Sequence, residues 1–289
     1  MNPFDYSTAF SRNIGWLTEY EQKELRSKKI AIAGMGGVGG SHLLTLTRLG
    51  IGNFHIADFD SFEVANFNRQ AGANITNLNQ PKVDAMAAAA LDINPELNIN
   101  RFAAGVNNEN IDEFLDGIDL YVDGLDFFAV PARRAVFTAC TEKAIPAITV
   151  APLGMGAALL NFIPGKMSFE EYFRLEGQPE EDQLLHFLVG LSPAMLQRNY
   201  LVDKSSVDFN NHKGPSTPMA CELCAGIAAT EALKILLGRG KIYAAPHGVH
   251  FDAYRNKLSH TWRPGGLNNP LLRIAKMIAR RLVNQIRHN

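Results

Sequence analysis

The chain has 289 residues, of which 46% are hydrophobic and 20% charged, a balance typical of a soluble globular protein and not of a disordered one. Its formal net charge of -1 gives no general attraction to nucleic-acid backbones, so we expect no DNA partner. Three cysteines, no secretory pattern at the start and no apolar run of bilayer length favour a reducing, cytoplasmic location without disulfides.

A strand, a glycine-rich loop and a helix open the first regular region. Residues 29–33 form a short apolar run that leads directly into Gly34-Met35-Gly36-Gly37-Val38-Gly39-Gly40. Leucines at helical spacing follow this loop, and residues 53–58 predict a second strand. Together these elements predict a βαβ unit of about 30 residues.

Strands and helices then alternate up to residue 151. The strand candidates are residues 98–102, 120–123 and 147–151, and the helix candidates are residues 81–91, 111–115 and 131–142. Such alternation predicts a Rossmann-like, doubly wound α/β fold, in which a mainly parallel sheet has helices on both faces.

Beyond residue 151 the pattern changes. Residues 157–163 predict one more strand, and residues 164–218 form a long, partly helical crossover segment with helical blocks at 168–175 and 183–189. A connection of that length usually carries function or flexibility. A strong helix at 221–237 and two strands at 249–254 and 258–262 predict a C-terminal antiparallel extension, and a last helix covers about 270–288.

The last helix is basic and amphipathic. Its apolar residues recur at helical spacing: Leu271, Ile274, Ile278, Leu282 and Ile286. Basic residues surround them: Arg273, Lys276, Arg280, Arg281 and Arg287. No acidic residue follows Asp252. One interpretation is a surface helix packed on its own domain or on a dimer partner. The other is a helix that contacts an anionic membrane or an acidic partner.

The glycine loop is the first functional signal. Gly34, Gly36 and Gly39 lie between a strand and a helix, where glycines let a backbone approach a pyrophosphate at the helix N-terminus. Asp58 ends the next strand, where an acid can bind a ribose hydroxyl. Alone, this pattern is typical of a dehydrogenase, and a glycine turn without a ligand is the alternative.

The residues after Asp58 argue against hydride transfer. Residues 58–70, DFDSFEVANFNRQ, with Pro81-Lys82 and residues 120–126, LYVDGLD, resemble the ThiF/MoeB/HesA family, bacterial relatives of the ubiquitin-activating enzymes. The resemblance covers residues 10–160 closely and 215–262 more loosely. It implies ATP-dependent adenylation of a carboxylate, with pyrophosphate as the leaving group.

The resemblance also implies roles for individual residues. The glycine loop, including Gly37, would hold ribose and phosphates together with Asp58 and Asp60; Arg69 and Lys82 would contact phosphates; Asn66 and Gln70 would order the site; Asp126 would hold magnesium; and Arg12 would reach the triphosphate of a partner subunit in a homodimer. Phe127 stands where the family often has asparagine. Asp123 is the neighbouring candidate for the metal, but its place in a strand favours a structural role.

The implied substrate is the C-terminus of a small carrier protein or peptide, of the ubiquitin-like or sulfur-carrier type. The alternatives are a small-molecule or tRNA-borne carboxylate, as in dehydratase-like relatives, and a nucleotide-binding scaffold without catalysis. Five parts follow: an N-terminal arm that contributes to the dimer site (residues 1–28), a nucleotide-binding adenylation domain (29–163), a crossover segment covering the substrate (164–218), a helix and strand pair (219–266) and the basic helix (267–289).

Cysteines are not expected to bind zinc. The two Cys-x-x-Cys pairs of many relatives are missing near residues 172–174 and 263–266. A site joining Cys221 and Cys224 to His247 and His250 is disfavoured, because residues three apart on a strand point to opposite faces. No cysteine lies between Cys140 and Cys221, so the acyl-adenylate is expected to pass to another molecule; Cys221 or Cys224 as the acceptor thiol is the alternative.

Overall fold

The structure is a computed structural model that describes residues 4–192, 194–203, 206–207 and 214–287. Its centre is an eight-stranded sheet in the order β3-β2-β1-β4-β5-β6-β7-β8. The strands are β1 (Lys29–Ala33), β2 (Asn53–Ala57), β3 (Asn98–Phe102), β4 (Leu120–Asp123), β5 (Ala147–Leu153), β6 (Gly156–Phe162), β7 (His247–Asp252) and β8 (Lys257–Trp262). Strands β1 to β5 pair in parallel, and β6, β7 and β8 extend the sheet antiparallel. The predicted fold class is confirmed.

Helices cover both faces of this sheet. They are α1 (Tyr6–Ala9), α2 (Glu19–Ser27), α3 (Gly39–Leu49), α4 (Lys82–Ile93), α5 (Ile111–Phe114), α6 (Val130–Glu142), α7 (Phe169–Phe173), α8 (Glu180–Leu191), α9 (Pro218–Leu236) and α10 (Pro270–Arg287). Helices α3, α4 and α9 share one hydrophobic core, and α5 to α8 and α10 share another. None of the helices in the described ranges combines the length and the apolarity that crossing a bilayer requires.

The alternation along β1 shows why two cores form. Ile30 and Ile32 pack with α3, α4 and α9, whereas Ala31 and Ala33 face the opposite core. Successive strand residues point to opposite faces, and here both faces are covered. A buried strand of this kind therefore reads in the sequence as a continuous apolar run.

Part of the crossover segment packs tightly on the second core. Phe169 and Phe173 of α7 lie with ring centroids 4.6 Å apart, and Phe173 is 5.2 Å from Phe187 of α8. Residues 193, 204–205 and 208–213 of the predicted 164–218 segment lie outside the described residues. The described part thus adds a helical layer to the domain and does not form a separate one.

The N-terminal arm is fixed at the C-terminal end of α3. Tyr6 Oη donates to the carbonyl of Gly50 at 2.6 Å, and Asn13 Nδ2 donates to the carbonyl of Leu49 at 3.3 Å. Gly50 ends α3 with a φ of 96°, a left-handed conformation that favours glycine. Because α3 has 11 residues, this arm lies about 16 Å from the loop that precedes the helix.

Candidate nucleotide-binding site

The predicted site residues other than Arg12 gather at the carboxyl edge of the parallel strands. Strands β1 and β4 are neighbours although β2 and β3 intervene in the chain, so the strand order reverses between them. The glycine loop follows β1, Asp58 follows β2, and residues 124–128 follow β4. Such a reversal point is where open α/β sheets bind ligands.

Close backbone approach explains two of the loop glycines. A side-chain Cβ on Gly34 would lie 2.2 Å from the carbonyl oxygen of Gly124, and one on Gly39 would lie 1.7 Å from that of Gly34. Gly34 also has a φ of 87°. The turn from strand to helix therefore depends on both residues. A Cβ on Gly36 would have Gln70 Nε2 as its nearest atom, at 3.6 Å. Gly36 therefore has more free space around it than Gly34 or Gly39.

Asp58 holds the glycine loop in place. Its Oδ2 accepts a hydrogen bond from the Met35 amide at 2.6 Å, and its Oδ1 accepts one from the Asp60 amide at 2.8 Å. Each carboxylate oxygen has further lone-pair capacity. The predicted ribose contact is thus compatible with the loop-holding role that the structure reveals.

Lys82 is a buried cation at the start of α4. Its side chain is 7% exposed, and its Nζ lies 2.9 Å from Oδ2 of the half-exposed Asp60. An ammonium group has three donors, and a buried one is costly unless it is paired. Asp60 therefore acts first as the counter-ion of Lys82 at the edge of the sheet.

Arg69 and Gln70 lie beside the glycine loop, close to Gly37 and Gly36 respectively. Arg69 Nη1 donates to the carbonyl of Ala65 at 3.2 Å, and its Cγ lies 3.6 Å from where a Cβ on Gly37 would be. Gln70 is buried, and its Oε1 has no hydrogen-bond partner in the described part of the chain. Leaving a buried polar atom unsatisfied costs about 1–3 kcal/mol. Gln70 is thus suited to a polar ligand.

Asn66 orders the turn that carries Arg69. Its Oδ1 accepts a hydrogen bond from the amide of Glu63 at 2.9 Å, and the Arg69 amide donates to the Asn66 carbonyl at 3.1 Å. The first of these contacts caps the start of the short 3-10 helix Val64–Asn66. Asn66 therefore positions the backbone of the site through its own turn.

Asp123 and Asp126 have different environments. Asp123 is buried, and its Oδ2 accepts from Arg133 Nε at 2.8 Å and from Thr149 Oγ1 at 2.9 Å. Asp126 is exposed, and its Oδ1 accepts from the Phe128 amide at 2.9 Å. Asp123 is thus engaged in a structural ion pair, whereas Asp126 can face a ligand.

Arg133 is a residue that the sequence analysis missed. Its Nη2 donates to the carbonyls of Leu125 at 2.7 Å and Asp126 at 3.1 Å, and its guanidinium lies 4.4 Å from the ring centre of Phe187. Phe127 packs 5.4 Å from the same ring. Arg133 therefore fixes the loop that carries Asp126. An arginine on the buried side of a predicted helix was the available signal.

The sequence analysis also missed that Cys221 lies beside the glycine loop. Its Sγ lies 3.2 Å from where a Cβ on Gly37 would be, although the two residues are far apart in the chain. Burial raises the pKa values of the Cys221, Cys224 and Cys140 thiols. All three side chains are buried, a setting that disfavours a nucleophilic thiolate.

The four candidate zinc ligands do not converge. His247 and His250 point to opposite faces of β7, because burial alternates along that strand. Within the described residues, no three histidine, cysteine or acidic side chains are grouped as a metal site would require. Cys221 and Cys224 instead form part of the packing of α9.

Arg12 is exposed on the short 3-10 helix Ser11–Asn13. That helix belongs to the arm at the C-terminal end of α3, whereas the glycine loop lies at the N-terminal end. Arg12 is therefore not among the residues that the fold gathers around the glycine loop of the same chain.

Characterised proteins resemble parts of this chain. Ubiquitin-like modifier-activating enzyme 5 of Bombyx mori is 35% identical over 158 residues, 49% of this chain and 37% of that protein. The tRNA threonylcarbamoyladenosine dehydratase of Bacillus subtilis is 33% identical over 150 residues, 52% and 57% of the two chains. The molybdopterin-synthase adenylyltransferase of Haemophilus influenzae is 31% identical over 134 residues, 46% and 54%. The matched stretches thus span about a third to somewhat over half of these relatives.

The fold also occurs among solved structures. The crystal structure of Escherichia coli MccB with ATP superposes with a TM-score of 0.65 and 19% sequence identity, over 90% of this chain and 73% of that one. At this identity the likeness concerns the fold alone. The family model described as the ThiF family matches residues 10–271. This match covers most of the chain, and the sheet order places the candidate site where the order of the parallel strands reverses. The chain therefore belongs to the ThiF family.

Proposed function

We propose that the protein adenylates a carboxylate with ATP. A carboxylate oxygen would attack the α-phosphorus, the bond to the β-phosphate oxygen would break, and pyrophosphate would leave with its electron pair. The observation that carries this proposal is the pairing of a glycine loop with two cations, Lys82 and Arg69, at one edge of the sheet. Anionic phosphates require such cations, and positioning with charge stabilisation is the main catalytic contribution to this reaction.

The residues at the glycine loop fit a nucleoside triphosphate. A Cβ on Gly36 would have Gln70 Nε2 as its nearest atom, at 3.6 Å, so a ligand can approach the backbone there. The same Gln70 amide carries a buried acceptor, Oε1, that has no partner among the described residues. Lys82 keeps donors beyond its contact with Asp60. A nicotinamide dinucleotide has no triphosphate that would need both cations. Among the relatives, the Haemophilus protein is named an adenylyltransferase.

Asp126 is our candidate for binding Mg²⁺. It is exposed, and the Phe128 amide occupies one position on its Oδ1, which leaves the other oxygen available. Magnesium commonly takes one or two carboxylates and completes its shell with waters and substrate phosphates, so one acid fits this pattern. When bound, the metal would offset negative charge on the phosphates. Arg133 would keep Asp126 in place through the loop carbonyls.

We further propose that the enzyme is a homodimer in which Arg12 acts on the partner's nucleotide. The arm that carries Arg12 is fixed at the end of α3 remote from its own glycine loop. A role for this arginine at a triphosphate therefore requires a second subunit. Mixing an Arg12→Ala chain with a Lys82→Met chain tests this, since hybrid dimers would regain one intact site and two pure variants would not.

For the substrate, we favour the C-terminal carboxylate of a small carrier protein or peptide. The Bombyx relative is named as an activating enzyme for a ubiquitin-like modifier. The name of the Bacillus relative supports the second candidate, a tRNA-borne or small-molecule carboxylate. Because the three cysteines are buried, we expect the acyl-adenylate to pass to another molecule. The proposed use of ATP by the protein and its free cysteines favour a cytoplasmic location.

Calorimetry with ATP and Mg²⁺, and separately with NAD, tests the nucleotide assignment. We expect ATP binding and an Arg69→Ala variant weakened by about 1.5–3 kcal/mol, because a charge-assisted contact is lost. Lys23→Ala, which removes an exposed cation on α2, is the matched control and should bind normally. Tight binding of NAD with none of ATP would refute the assignment. ATP binding without turnover on any carboxylate would favour the non-catalytic scaffold instead.

A further inference from the structure

Helix α10 is attached to the domain along one side. Leu272 and Ala279 are buried in the core that α8 shares. Lys276 Nζ lies 3.3 Å from the Asp182 carboxylate of α8, and Arg280 pairs with the same carboxylate. The helix is therefore fixed to the body of the protein by an apolar strip and a charged cluster.

A second apolar strip of α10 is only partly covered by the described residues. Four large apolar side chains are between 39% and 58% exposed: Leu271, Ile274, Met277 and Ile278. Positions 271, 274 and 278 share one side of the helix by their spacing. The apolar sector of α10 is thus wider than the strip that packs on α8, and grouped exposed apolar side chains usually mark an interaction surface.

The charged residues of α10 itself are all basic. Arg273 and Arg281 are exposed beside the strip. After Asp252 the sequence contains no acidic residue, whereas Arg255, Lys257, Arg263, Arg273, Lys276, Arg280, Arg281 and Arg287 all follow. A partner that covers the strip must therefore accept apolar side chains and supply negative charge.

A second copy of α10 meets this requirement poorly. In a two-fold symmetric dimer the same patch lies on both sides, so Arg273 and Arg281 of the two strips would approach each other, and α10 carries no acid to pair with them. An anionic lipid surface provides both an acyl boundary for the apolar side chains and phosphates for the arginines. We propose that α10 binds the protein peripherally to an anionic membrane, with Ile274 and Ile278 at the acyl boundary and Arg273 and Arg281 at the phosphates.

Co-sedimentation of the full chain with vesicles tests this interaction. The vesicles would be phosphatidylcholine alone or phosphatidylcholine with about 30 mol% phosphatidylglycerol, compared at about 0.1 M and about 0.5 M salt. We expect binding to the anionic vesicles, weakened by salt. The double variant Arg273→Ser/Arg281→Ser should reduce the partition coefficient by about 30-fold. The double variant Ile274→Ser/Ile278→Ser should reduce it by about tenfold or more.

Matched controls separate this surface from exposed residues in general. Lys23→Ser/Arg48→Ser removes two exposed bases elsewhere, and Ile75→Ser/Leu258→Ser removes two exposed apolar side chains elsewhere. Both should bind vesicles as the unmodified protein does. Thermal unfolding checks that every variant is folded.

Three results would overturn the proposal. The first is absence of binding to the anionic vesicles, or binding that the α10 variants leave unchanged. The second is conversion of a dimer to a monomer by Ile274→Ser/Ile278→Ser in sedimentation velocity, which would assign the strip to a second copy. The third is binding of poly-L-glutamate without binding of anionic vesicles, which would assign an acidic polypeptide.

Discussion

Replacing Arg133 by methionine tests how the buried ion pair supports the loop that carries Asp126. Methionine retains an unbranched apolar chain but has no donor groups. Asp123 would keep its hydrogen bonds from Thr149 Oγ1 and the Leu125 amide, but it would lose the Arg133 guanidinium at 2.8 Å. The pair is almost fully buried, with side chains 3% and 2% exposed, so water cannot replace the lost charge.

The size of the effect follows from this burial. Removing one member of a buried ion pair costs about 3–5 kcal/mol, because the other charge stays desolvated. The carbonyls of Leu125 and Asp126 also lose a donor. We therefore expect Arg133→Met to lower the free energy of unfolding by about 3–5 kcal/mol and to reduce adenylation further by loosening Asp126.

Urea unfolding of a small set of variants measures this. Arg134→Met is the matched control, because Arg134 pairs with Glu170 at 3.0 Å in a partly exposed position, where an ion pair is worth about 0–1 kcal/mol. Adding Asp123→Asn to Arg133→Met should restore part of the loss, since no unpaired charge then stays buried. A loss no larger than that of Arg134→Met, or no recovery in the double variant, would refute this reasoning.

Three further predictions concern the loop, the metal and pH. Gly39→Ala should unfold the loop and abolish ATP binding, because the new Cβ would lie 1.7 Å from a backbone oxygen, whereas Gly36→Ala, with 3.6 Å to its nearest neighbour, should fold normally. Circular dichroism and calorimetry distinguish the two variants. A folded, ATP-binding Gly39→Ala would contradict the geometry. Asp126→Ala should nearly abolish ATP–pyrophosphate exchange with an unchanged urea midpoint, and exchange at the wild-type rate would exclude it as the metal ligand. Burial lowers the pKa of His250 to about 4, so the unfolded chain, with a pKa of about 6.5, takes up the proton first. Stability present above pH 6.5 should therefore fall by about 2–3 kcal/mol as pH falls towards 4, and His250→Leu should flatten this part of the urea-unfolding profile; an unchanged slope would count against it.

The sequence was most informative where packing depends on local pattern. Residues 29–33, 98–102 and 120–123 were predicted as strands with the bounds that the structure shows. The first and third contain the apolar runs 30–33 and 120–122 and are each followed by a glycine. Strands buried on both faces produce such runs. The glycine loop and Asp58 were placed correctly at the edge of the sheet because their positions follow from the strand ends.

Contacts between distant parts of the chain were not predictable in this way. Cys221 on α9 lies beside Gly37, and Phe187 on α8 stacks on Arg133, through packing that depends on the whole fold. The periodicity of α10 showed an amphipathic helix, but it could not show that Leu272 and Ala279 are the positions that become buried in the core shared with α8. Whether a buried polar atom has a hydrogen-bond partner, as Gln70 Oε1 does not among the described residues, likewise depends on the three-dimensional structure.

ATP–pyrophosphate exchange, screened across carboxyl-bearing peptides, small carrier proteins and metabolites, tests the proposed reaction most directly. Exchange reports reversible formation of an acyl-adenylate, and Lys82→Met provides the inactive control because it removes the buried cation. We predict that one class of carboxylate supports exchange that depends on Mg²⁺ and disappears in Lys82→Met. Exchange that persists in Lys82→Met, or ATP binding without exchange for every class of carboxylate, would contradict adenylation at this site.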